Sequence, residues 1–318
     1  MKLKQKINLL KRWMTMLSGK SVFHVEQKVG QIYSKQNIEG YYNDLTGKVL
    51  GETLLDNQQI PINKTANEKL VYFPITIFQY ALGAYDLYLL TNEKSYKDKF
   101  LNIVSWMLTK QNEDGSWNCF DQLGDTKHGP FSAMCQGEGA SVLSRAYILT
   151  QDEKCYDAAI KAIEFMLIDI KDGGTTTYQG EDIIFQEYVC EKNTSVLNGW
   201  IFAIFGLYDI TKMSNDLKYF QLLEKSLDTL VRKLSEYDTG EWSNYDLQGT
   251  IASPAYHDLH IQQLEVLYEL FSKKEFAMVS LKWKKYQNSK VLKTKAFIRK
   301  AIQKLFNSKY DSGTSLIG

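Results

Sequence analysis

One motif occurs four times along the 318 residues at a nearly constant interval. GAYDLYLLTNEKSYKDKFLNIVSWML, beginning at residue 83, resembles SRAYILTQDEKCYDAAIKAIEFML at 144, GLYDITKMSNDLKYFQLLEKSLDTLVRKL at 206 and VLYELFSKKEFAMVSLKWKKY at 266. Each copy has a tyrosine near the end of an apolar helix, a short polar turn, and a second amphipathic helix. The tyrosines are Tyr88, Tyr147, Tyr208 and Tyr268, 59, 61 and 60 residues apart. A single helical hairpin cannot bury its apolar side alone, so a fourfold repeat constrains the chain to stack its units around a common centre.

The expected fold is therefore mainly α: an incomplete (α/α) toroid of about four helical hairpins, with a small N-terminal arm or β-hairpin. The first helix of each unit is apolar nearly all round and belongs inside; the second has a polar face and belongs outside. Residues 1–64 read as a basic segment and arm, 65–287 as the toroid, and 288–318 as a basic amphipathic tail. Turn-rich stretches join the units, among them NEDGSWNCFDQLGDTKHGP, KDGGTTTYQGEDIIFQEYVCEKN and EYDTGEWSNYDLQGTIASPAY. Connections of about 20 residues are unusual in a compact domain and tend to carry function, so these loops should frame a cleft at one rim.

The net charge of +1 conceals a polar distribution along the chain. Residues 1–20 hold six basic residues and no acid, residues 276–318 hold ten against Asp311, and the middle carries 22 basic and 36 acidic. Basic ends on an acidic body suit an anionic partner at the termini or solvated helices. VLKTKAFIRKAIQKLF, starting at 291, puts Phe297, Ile298, Ala301, Ile302, Leu305 and Phe306 on one stripe, which suits either peripheral contact with an anionic membrane or docking on the protein's own body. No stretch reaches the ~20 apolar residues of a membrane helix. The N-terminus has no apolar signal region, and Cys119, Cys135, Cys155 and Cys190 form no CxxC pair, which reads as free thiols in the cytoplasm, with the inner membrane as the surface the basic ends could meet.

Three rim segments concentrate ionisable and aromatic groups. Glu187 and Tyr188 lead into a helix that begins near Asn198; Tyr237, Asp238, Glu241 and Tyr245 share a second loop; Tyr256, His257 and His260 open a third. His257 and His260 have the spacing of a metal pair but no third ligand, so no metal is expected. No phosphate loop, dinucleotide fingerprint or hydrolase elbow is present, no cofactor is expected, and the acidic body argues against nucleic acid. A carboxylate with several tyrosines suits acid and base work on opposite faces of one carbon.

VYFPITIFQYALGAY, FSAMCQGEGASVLSRAYILT, FQEYVCEKNTSVLNGWIFAIFGLYDI, YDTGEWSNYDL and AYHDLHIQQLEVL resemble, in order, the C-terminal catalytic domain of the D-glucuronyl C5-epimerase family. The resemblance covers about residues 70–286 and implies an isomerase that converts D-glucuronate to L-iduronate residues in a heparosan-like or capsule-like acidic polysaccharide. It places Glu187, Tyr188, Tyr245 and Tyr256 at the active site, with Glu187 and Tyr256 as opposed proton-transfer groups. Gln79, Trp117, Gln136, Arg145, Asn198, His257 and His260 become candidate substrate contacts, His257 also as a tuner of the tyrosine. Arg145 serves either as the cation for the substrate carboxylate or as a buried structural charge. Gln248 stands where the animal enzymes have arginine, which favours an unsulfated polymer. The family's dimers imply a homodimer. A lyase using the same carbanion and a non-catalytic uronic-polymer module are the alternatives.

Overall fold

A computed structural model of the chain describes residues 26–65, 68–124, 128–190, 192, 194–306 and 316–317. After a short helix α1 (Gly47–Leu50) and strands β1 (Asn63–Thr65) and β2 (Leu70–Val71), four hairpins follow. They pair α2 (Pro74–Thr91) with α3 (Lys94–Lys110), α4 (Ala133–Thr150) with α5 (Glu153–Met166), α6 (Leu197–Ser214) with α7 (Leu217–Lys233), and α8 (Pro254–Phe271) with α9 (Lys274–Asn288). α2, α4, α6 and α8 pack on one another in that order, and the result is an incomplete (α/α) toroid.

Each inner helix has 18 residues, and each ends in the same two-residue reversal. The first residue of that reversal is left-handed, at Asn92, Gln151, Asn215 and Ser272 with φ between 55° and 58°. The second is extended, at Glu93, Asp152, Asp216 and Lys273. Asp152 and Asp216 also accept a hydrogen bond from the backbone N–H two residues on, capping the outer helix. The outer helices bury one stripe, as Tyr219, Leu223, Leu227 and Leu230 do in α7.

Counting from these reversals corrects one alignment. Tyr88, Tyr147 and Tyr268 each accept the N–H of the left-handed residue four positions on, whereas Tyr208 lies seven residues before Asn215, one turn early. Even spacing of tyrosines is thus a partial guide to the repeat, because a helical turn can be gained without disturbing the apolar pattern.

The thirteenth position of successive inner helices is Asp86, Arg145 and Asp209. The arm from residue 26 crosses the ring at this level. Arg145 donates to Asp209 at 2.7 Å and to the Gly40 carbonyl at 3.0 Å, Tyr42 donates to Asp209 at 2.6 Å, and the Tyr41 N–H donates to Asp86 at 2.9 Å. Lys212 closes the same end by donating to the Ser34 carbonyl. The C-terminal mouth of the toroid is therefore plugged, and the opposite mouth carries the long connections.

Two features differ from expectation. The connection after α5 contains a β-hairpin, β3 (Thr176–Gln179) with β4 (Asp182–Phe185), turned at Gly180 with φ 60°. The expected arm hairpin straddles residue 64: β1 pairs with β2 and also with β5 (Leu316–Ile317). The C-terminal helix α10 (Lys290–Phe306) docks on the rim through buried Ala296 and through Gln303, which accepts from the Ile251 N–H and donates to the Gly249 carbonyl. Ile298 and Ile302 of the anticipated stripe are exposed, and the side chains of Leu305 and Phe306, like the basic residues 1–20, lie outside the described residues. Among the described residues no helix is long and apolar enough to cross a membrane.

Candidate active site

The open mouth gathers the N-terminal ends of the inner helices. β4 delivers the chain to Gln186, whose backbone and side chain make five hydrogen bonds. Its N–H donates to the Thr175 carbonyl, its carbonyl accepts from the Ala133 N–H, and its amide side chain joins Thr177 and Ser195. That pins the strand exit between the starts of α4 and α6, so the next side chain, Glu187, has little freedom. Glu187 is buried, with one oxygen against α6: a Cβ on Gly199 would stand 2.3 Å from Oε2, so only glycine leaves room for the carboxylate.

Tyr245 is held from both sides by its backbone. Its N–H donates to the Thr250 carbonyl and its own carbonyl accepts from Leu197, while Asp246 accepts from the N–H groups of Gln248 and Thr250 to close the loop. The Tyr245 hydroxyl lies 3.5 Å from Glu187 Oε1, and the rings of Tyr245 and Tyr256 are 4.8 Å apart. Tyr256 stands in the first turn of α8, behind the Ser253 cap and Pro254. Tyr188 stacks on Phe120 at 5.1 Å and lies tilted against His128 at 4.8 Å. The four residues expected at the centre, drawn from three connections, form one cluster, Glu187 buried and the three tyrosines partly so.

Burial sets the electrostatics. It raises Glu187 to about 7, against hydrogen bonds from Tyr188 and Tyr245 that favour its ionised form. Burial, then the Glu187 charge, raises Tyr256 to about 12, and Tyr188 and Tyr245 go up for the same reasons. Near neutral pH a base poised to accept a proton thus faces a phenol that keeps its own.

Several expected contacts belong instead to the frame. Arg145 is wholly buried with Asp209 at the plugged mouth, so it is spent on structure. His257 lies on Trp242 at 3.7 Å and bonds to Ser243 and the Trp283 carbonyl; burial lowers it to about 3, so it is neutral and cannot tune a phenol by charge. His260 shares Ser243, and burial lowers it well below the ordinary imidazole range. Gln136 brackets the Trp117 N–H and the carbonyls of Gly115 and Ala162, and Trp117 donates to the Met107 carbonyl inside the core. A polar side chain that spends its donors on buried backbone has none to offer a ligand.

Asn198 and Gln79 do face buried polar space. Asn198, the second residue of α6, precedes Gly199, against which Glu187 packs, and among the described residues its buried Oδ1 has no partner. Gln79 donates to Glu138 at 2.8 Å. Glu138 itself was not anticipated, nor were Gln186, Phe120 and His128 as partners of the site. An acid between two glycines, in QGEGAS on an otherwise apolar helix, is the signal that marks Glu138. His128 carries no such mark, since only the fold brings it to Tyr188. Among the described residues no cluster of three or more metal-ligating side chains occurs.

Residues 111–285, just over half of the chain, match the model of the D-glucuronyl C5-epimerase C-terminus. The chain belongs to that family. It is 29% identical over 197 residues to the D-glucuronyl C5-epimerase of Caenorhabditis elegans, covering 54% of this chain and 32% of that protein. It is 29% identical over 156 residues to an uncharacterised protein of Methanocaldococcus jannaschii, covering 48% and 51%. The chain therefore spans a third to a half of these relatives. Among solved structures, the cellobiose 2-epimerases of Spirochaeta thermophila and Bacillus thermoamylovorans superpose with TM-scores of 0.51 at 10% identity, over 73% and 76% of this chain and 64% and 70% of theirs. That likeness concerns the toroid alone. The family match spans Glu187, Tyr188, Tyr245 and Tyr256 together.

Proposed function

We propose that this protein is a polysaccharide uronate C5-epimerase, turning D-glucuronate into L-iduronate residues within a heparosan-like or capsule-like polymer. The observation that carries the reading is a buried carboxylate raised to about 7 and a phenol raised to about 12, joined by Tyr245, which touches both. Glu187, ionised, removes the C5 proton; the electron pair moves into the adjacent carboxylate as an enolate. Tyr256 returns a proton from the other face and inverts the centre, and the reverse reaction exchanges the two roles. Tyr188 and Tyr245 hold the sugar, offer hydroxyls to the developing charge, and keep Glu187 oriented.

Heparosan incubated with the protein in deuterated water should gain deuterium at C5 without shortening. A new unsaturated, ultraviolet-absorbing end would assign the chemistry to a lyase instead. Binding without any isotope exchange would make the protein a non-catalytic uronic-polymer module.

A further inference from the structure

The reaction proposed above needs a positive charge beside the sugar carboxylate, because the enolate places a second negative charge on it. The arginines do not supply one among the described residues: Arg145 is paired with Asp209, Arg232 with Asp182 and Arg299 with Glu241. The cation must therefore come from a lysine.

Burial lowers two lysines. Lys212 donates to the carbonyls of Ser34 and Asn37 beneath the arm. Lys48 is different: among the described residues its ammonium has no hydrogen bond or ion pair, its side chain is partly exposed, and the charge that acts on it is the carboxyl of Glu138. α1, which carries Lys48, is seated on the inner ring. A Cβ on Gly83 would stand 2.3 Å from the Leu45 carbonyl, so the turn before α1 lies directly on α2, one helical turn from Gln79. Gln79 and Glu138 are the sixth residues of α2 and α4. Glu138 is fully buried; its Oε1 accepts from Gln79 at 2.8 Å, its Oε2 has no partner, and it feels the charge of Glu187.

A lysine and a glutamate desolvated beside each other, each with bonding capacity unspent, cost stability. Such a cost is retained where a ligand completes the arrangement. We propose that Lys48, with Gln79 and Glu138 behind it, is the binding site for the hexuronate carboxylate. A sugar whose C5 stands beside Glu187 carries its carboxylate one bond away, and turning that group toward Glu138 brings it to the ammonium. Glu138 then acts as a positioning residue that holds Lys48 inward when the site is empty.

The assignment rests on the epimerase reading but is tested by binding, without turnover. Calorimetric titration of the full chain with heparosan oligosaccharides, and with the same oligosaccharides after carboxyl reduction, measures the charge preference. The wild type should prefer the charged form by about a hundredfold. K48M should abolish that preference while leaving affinity for the reduced form unchanged, and K48R should retain most of it. Removing an unpaired buried charge should leave the melting temperature of K48M unchanged or raised; if K48M is not folded, K48Q serves in its place. A wild type without preference, or a K48M or K48Q variant that keeps it, overturns the assignment. Deuterium uptake at C5 by the wild type, followed in parallel, decides separately whether the epimerase reading stands.

Discussion

The hydroxyl of Tyr245 reaches Glu187 Oε1 at 3.5 Å while its ring lies 4.8 Å from that of Tyr256, so one side chain bridges two groups 69 residues apart in sequence. That contact is long for a hydrogen bond and leaves Glu187 able to turn to a substrate proton. If Glu187 and Tyr256 are the opposed acid and base, E187Q and Y256F should each lower C5 exchange by about a hundredfold or more. Y245F should be milder, since it removes orientation and leaves the proton carriers. Isotope exchange followed by mass spectrometry separates the three, and wild-type rates in E187Q or Y256F would remove the site assignment.

The acidity of Glu187 predicts a pH profile. A base raised to about 7 is protonated below that value, so kcat/KM should rise through pH 7 with unit slope. The opposing phenol at about 12 keeps its proton across the working range, so the profile should stay flat through pH 9. A midpoint near 4.5, the ordinary carboxylate range, would mean that Glu187 is not the titrating base.

Stability should carry the same signature with a definite sign. Glu187 and Glu138 are raised by burial to about 7 and about 8, so between pH 4.5 and 8 the folded protein holds more protons than the unfolded chain. Their protonated forms favour folding, and stability falls as pH rises through that window. E138Q should therefore raise the melting temperature at pH 8 and change it little at pH 5. An equal shift at both values would contradict the link.

Gly199 offers a test that leaves the ionisable groups intact. A methyl group there would stand 2.3 Å from Glu187 Oε2 and must push the carboxylate aside. G199A should lower exchange at least tenfold while far-ultraviolet circular dichroism and the melting temperature stay close to wild type, because misplacing a reacting group by about 1 Å costs about a hundredfold.

At the plugged mouth the prediction concerns the fold. R145M leaves Asp209 and Asp86 buried without their cation, and D209N leaves Arg145 without its carboxylate, so each should cost about 3–5 kcal/mol. Replacing Arg145 and Asp209 together by apolar residues should recover part of the loss. Denaturant melts of the three variants measure this, and a double variant no better than the worse single one would count against a pairwise ion contact.

The toroid was legible because its cause is local. Apolar residues at helical spacing, an αL-tolerant residue after each inner helix and four repeats of the pattern leave few other ways to hide the apolar faces. The proposed quartet was legible for a different reason: Glu187, Tyr188, Tyr245 and Tyr256 sit in family motifs, although no spacing rule joins residue 187 to residue 256. What misled was residue type taken without direction. Arg145, His257 and Gln136 have the chemistry of binding groups, but the turn of helix on which each stands points it at Asp209, Trp242 or the backbone of Gly115.

The sequence by itself thus determined the helices, their pairing and the four residues at the open mouth, because these follow from periodicity and from contiguous motifs. Only the tertiary structure decided which polar side chains are spent and which are not. Lys48 feels the charge of Glu138 only once α1 is laid on Gly83, and the Glu187 carboxyl rises to about 7 only when the closing ring strips its water. Desolvation depends on everything that packs around a group, and no local pattern of residues encodes it.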